Sequence, residues 1–135
     1  MILIHFPSAL FPVDLMLSGF GFFTGQSVFY VAAFYVMVIA VVTGWLAVMV
    51  GAVDLMHLKE SELLLRKTLV HGAINICMLM VYSTLAFSSY RQYPELVAPN
   101  EFMLAFKLLL VVVMSIGNYF GAELVLKYGV GLLKK

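Results

Sequence analysis

Charge is the scarcest commodity in this chain. Of its 135 residues only 11% are charged, 8 basic and 7 acidic, against 64% that are hydrophobic. A soluble domain is roughly half apolar and a quarter charged, so this surface needs a bilayer as its solvent. A net charge of +1 with no basic run leaves no electrostatic footprint for nucleic acid. The single cysteine, Cys77, excludes an internal disulfide framework, a zinc site of several thiolates and covalent haem attachment through Cys-x-x-Cys-His. No stretch is long and polar enough for a domain outside the membrane, and no internal repeat is present. The start lacks a basic n-region and carries Asp14 in its apolar stretch, so a cleaved signal peptide is not expected.

What the chain does have is four apolar segments. They predict an all-α, integral membrane four-helix bundle, one domain over residues 1–135, with helices at about 6–23, 27–58, 61–89 and 100–128. Pro7 suits a first helical turn, whereas Pro12 removes a hydrogen bond to Ser8 and should kink or tilt the first helix. The second segment, at 1.5 Å per residue, is roughly 48 Å long and must tilt or project. Ser61 and Asn100 are the expected N-caps of the third and fourth helices, each followed by an acid. Gly129 and Gly131 close the fourth. Four spans put both termini on one side, with Lys59, Arg66, Lys67, Lys127, Lys134 and Lys135. The other side keeps Arg91 and Lys107. By the positive-inside rule both termini are expected in the cytoplasm.

Ionisable groups inside a span are costly and point to function. His71 lies about 6 Å inside Lys67, Glu123 at a similar level inside Lys127, and Asp54 roughly 7.5 Å inside Lys59. With His5 at the mouth of the first helix and Asp14 deeper, these groups predict a polar pocket on one half of the bilayer. His71, Asn75, Met78 and Tyr82 share one helix face, as do Gly44, Ala47, Gly51 and Asp54. Gly117 and Gly121 add a small-residue contact face beside Asn118.

Two readings of these residues compete. In one, His5 and His71 are axial ligands of a b-type haem, with Arg66, Lys67 and Lys127 on its propionates. In the other, His71 bonds Asn75 or a neighbouring helix and His5 sits among headgroups. His57 is a solvated interfacial histidine or a replacement for His5 as ligand. Asp54 and Glu123 are proton carriers, quinone-binding groups or structural partners of nearby bases, the last favoured for Glu123 with Lys127. Asp14 either accepts hydrogen bonds from freed backbone or Ser18, or is buried and protonated. Cys77 reads as a small core residue, and Trp45 as packed within the bundle or against a flat cofactor.

The stretch Ile4-His5-Phe6-Pro7-Ser8-Ala9-Leu10 resembles the His-Phe-Pro-x-Ala-Leu opening of a bacterial family of small four-helix membrane proteins, the domain of unknown function DUF2231. So do His71-x-x-x-Asn75, Gly121-Ala122-Glu123-Leu124-Val125 and Tyr128-Gly129-Val130-Gly131. Where that family commonly has two glycines before the acid, this chain has Gly121-Ala122. The resemblance implies a four-helix membrane unit and singles out His5, His71, Asn75 and Glu123 over His57. Some relatives are joined to Rieske-type iron–sulfur domains, which implies work beside electron-transfer proteins. The leading expectation is therefore a small, non-catalytic haem b subunit of a membrane redox complex, with quinone as a further ligand. The alternatives are a cofactor-free structural or assembly subunit bound to lipid and other membrane subunits, and a proton or quinone pathway through Asp14, Asp54 and Glu123.

Overall fold

The computed structural model describes residues 2–56 and 62–128, without the side chains of 2–5, 124–126 and 128. Four helices fill that range: α1 (Ile2–Thr24), α2 (Ser27–Met56), α3 (Glu62–Tyr90) and α4 (Glu101–Tyr128). Each contains a stretch long and apolar enough to cross a membrane, and no strand occurs among the described residues. The chain is an all-α four-helix membrane bundle. Ser61, His57, Lys59, Gly129, Gly131, Lys134 and Lys135 lie outside the described residues.

The helices are joined by turns whose chemistry is local. Thr24 donates its hydroxyl to the Phe20 carbonyl at 2.6 Å and accepts the Gln26 N–H at 3.3 Å. Gly25 then adopts a φ of 68°, a left-handed conformation that glycine enters without steric cost, and its N–H reaches the Gly21 carbonyl at 2.9 Å. This two-residue link sets α1 and α2 antiparallel. Asn100 caps α4 as expected, its side-chain oxygen accepting the Met103 N–H at 2.8 Å. α1 starts at Ile2, four residues before the apolar run suggests, and continues unbroken through both Pro7 and Pro12.

Each helix packs on its neighbours in the chain, and α4 closes the ring against α1, leaving α1 diagonal to α3 and α2 to α4. Across the first diagonal the rings of Phe11 and Tyr82 stack with centroids 3.8 Å apart. Met37, Ala40, Leu79 and Met114 complete the interior around them. Lipid is as apolar as leucine, so these helices are held together by close packing and by bonds between polar groups. Gly44 shows the tolerance: a Cβ there would come 2.7 Å from Leu79 Cδ1. The outer faces carry valine, leucine and phenylalanine for lipid contact.

Two expectations about packing are corrected. Cys77 is exposed on the outside of α3 and is not a core residue. Trp45 is 39% exposed. Its indole N–H donates to the Ser83 hydroxyl at 3.1 Å, so it lies along the seam between α2 and α3.

Candidate functional site

Among the described residues three buried side chains are polar or charged: Asp14, Ser18 and Lys107, at 0%, 2% and 6% exposure. They meet at one point. Asp14 and Ser18 are four residues apart and share a face of α1. Lys107 enters from α4, whose antiparallel course carries it past that face. Its Nζ donates to Asp14 Oδ1 at 2.7 Å and to Ser18 Oγ at 2.9 Å, while Ser18 Oγ stands 3.5 Å from the same carboxylate oxygen. Asp14 is near the middle of the apolar stretch Phe6–Thr24. The ion pair is therefore held at membrane depth.

Two more buried atoms belong to this centre. Asp14 Oδ2 and the Tyr82 hydroxyl are enclosed and make no hydrogen bond. Phe11, on which Tyr82 stacks, is three residues before Asp14 and on the same side of α1. The centre thus holds a carboxylate oxygen with unused lone pairs and, beside the neighbouring turn of α1, a buried hydroxyl with unused hydrogen-bonding capacity.

Stability alone does not account for such a pair. Desolvating two charges costs several kcal/mol per ion, and a well-packed apolar pair of similar volume is often equally or more stabilising. In a bilayer the balance is no more favourable.

Nearer the end of the bundle that carries Arg66, Lys67 and Lys127, hereafter the basic end, three further polar groupings follow. His71 of α3 turns its ring onto α4. Its Nδ1–H donates to the Gly117 carbonyl at 2.8 Å, which fixes Nε2 as the acceptor for the Asn75 amide at 3.2 Å. The remaining amide N–H of Asn75 returns to the His71 carbonyl at 3.0 Å. Gly121 makes room for the ring: a Cβ there would stand 2.5 Å from His71 Cε1. Ser8 and Asn118 bond one another at 3.1 Å between α1 and α4. At the edge, Glu123 takes Lys67 at 3.0 Å and Lys127, four residues on, at 3.5 Å.

The single pocket expected from Asp14, Asp54 and Glu123 does not form. Glu123 is held by lysines at the basic end, Asp14 by Lys107 deeper in, and Asp54 is exposed on α2. Counting residues inward from a basic ring fixes level but not direction around each helix. Lys107, expected at the opposite face, turns inward and is buried. The signal for it was present: Asp14 is the only charge in residues 6–23 and Lys107 the only one in 102–122, and their signs are opposite.

For a haem, the nitrogen of His71 that would meet iron is Nε2, which Asn75 holds, so ligation requires Asn75 to release it. The His5 side chain lies outside the described residues. No group of three or more His, Cys, Asp or Glu fit to hold a metal ion occurs among the described residues.

A family model, described as a predicted membrane protein (DUF2231), matches residues 1–134. No curated protein and no solved structure matches the chain.

Proposed function

The chain belongs to the DUF2231 family of predicted membrane proteins, and we propose that it works as a proton-exchanging membrane unit with Asp14 as the proton site. One observation carries this reading. A fully buried carboxylate at mid-membrane binds Lys107 through Oδ1 alone and leaves Oδ2 without a partner. A proton arriving at Oδ2 neutralises the carboxylate and weakens its hold on Lys107, whose ammonium keeps the Ser18 hydroxyl. Loss of that proton restores the pair. Tyr82 carries a buried hydroxyl without a partner, and Asn75 and His71 continue its stripe along α3 toward the basic end. By helix rise Tyr82 and His71 are about 16 Å apart, so water must fill the gaps between these groups. The basic end, with three of the described basic residues against Arg91 at the other, supports a cytoplasmic placement in a bacterial inner membrane.

Infrared difference spectra recorded between acidic and alkaline buffers test the proton site. The expected result is a protonated-carboxyl C=O band that grows on acidification and is absent in Asp14→Asn. A wild-type spectrum with no band lost in that variant sinks the reading.

A second reading is a haem b subunit of a redox complex, held by His5 and His71 with Arg66 and Lys67 at its propionates. It is supported by the Nδ1–H bond of His71 to Gly117, the kind of contact that orients a ligating imidazole. It requires Asn75 to move. Protein from a haem-replete host should then show reduced-minus-oxidised bands lost in His71→Ala, and colourless protein ends it.

The alternative of a cofactor-free structural or assembly subunit rests on the lack of a polar segment long enough for a domain outside the membrane and on small-residue helix faces. Gly44, Gly117 and Gly121 are used inside the bundle, against Leu79, Ile74 and His71. Gly51, on the same α2 face as Gly44, meets nothing within 4 Å and leaves that part of the face open.

A further inference from the structure

We propose that the seam between α3 and α4 at the basic end seats one acidic phospholipid, its phosphate on Arg66. A groove of about 230 Å³ lies there, lined by Leu63, Arg66, Lys67, Val70, Phe120 and Glu123. Sites for whole small molecules are typically about 300–1,000 Å³. This one is smaller and suits part of a molecule whose remainder lies in the bilayer.

Its lining has the polarity of a lipid. Leu63, Val70 and Phe120 present exposed apolar surface along the groove, and the charges gather at its lip. Residues 68–90 of α3 and 108–122 of α4 carry no Asp, Glu, Lys or Arg, and charge returns at Lys67 and Glu123, so the lip lies at the membrane edge, where headgroup phosphates are found. Lys67 and Lys127 share that one carboxylate. Arg66, exposed, makes no hydrogen bond or ion pair among the described residues. Arg66, Lys67 and Lys127 stand against Glu123 and, one turn before Arg66 on α3, Glu62, which leaves this end of the seam with an excess of one positive charge.

Charge decides the class of lipid. A phosphate oxygen pair matches the planar guanidinium fork of Arg66. A zwitterionic headgroup would bring its own cation against Arg66, Lys67 and Lys127. An acidic headgroup brings only the phosphate, and basic pockets between helices on this kind of face bind such groups. The acyl chain continues along Leu63, Val70 and Phe120.

Native mass spectrometry of the full chain in detergent tests this, with phosphatidylglycerol, phosphatidylcholine of matched chains, and glycerol phosphate as probes. Phosphatidylglycerol should bind about fivefold or more tightly than phosphatidylcholine, the weight of one basic side chain near an acidic lipid. Arg66→Gln should remove that preference while leaving the spectrum of the folded chain unchanged. Equal binding of the two lipids by the wild type overturns the proposal, as does a preference that survives Arg66→Gln. Glycerol phosphate binding as tightly as the lipid also overturns it, since the site would then be one for free phosphate.

Discussion

Lys107→Met alone is expected to destabilise the bundle by about 3–5 kcal/mol, the typical loss when one partner of a buried pair is removed. The methionine occupies similar volume, so packing is not what fails. The loss comes from Asp14, left at 0% exposure with a carboxylate that only Ser18 contacts. The double variant Asp14→Leu/Lys107→Met is expected to recover most of the stability, because the desolvation of both charges disappears together with their attraction. Reversible unfolding in mixed micelles measures all three proteins. A single variant as stable as the wild type would mean that Asp14 sheds the cost of its charge, by taking up a proton or by reaching water. A double variant no better than the single would mean that the pair is structural, and the case for a proton role would lose its premise.

The fold was largely legible because membrane helices announce themselves by length and hydrophobicity, which depend on no partner. α2 and α4 begin where the apolar runs and the Asn100 cap put them. The His71, Asn75, Met78, Tyr82 stripe turns inward as its spacing requires, with Met78 and Tyr82 buried. Glu123 pairs with Lys127 as favoured, and with Lys67 in addition.

The centre of the site was not legible in the same way. Helical periodicity places a residue on a face but says nothing about which helix that face meets. Lys107 illustrates this. By depth alone, about 9 Å from the start of α4, a lysine can snorkel to the near interface. Only the contact between α1 and α4 shows that it bends inward to Asp14. Asp54 is the converse case: expected to face a shared pocket, it is exposed on α2. Lone charges of opposite sign in two different spans are the clue that sequence reading can use, because each needs a partner and only the other is available at that depth.

If Asp14 exchanges protons, the apolar double variant keeps the bundle and loses the activity. That separation makes it the most informative protein to reconstitute. The wild-type chain in vesicles loaded with a pH-sensitive dye should acidify the lumen after an external acid jump faster than protein-free vesicles do. The rate should fall to the protein-free value in Asp14→Leu/Lys107→Met, reconstituted to the same density. Proton entry that is equal in the wild type and the double variant, whether both leak or neither does, would contradict the assignment of Asp14 as the proton site.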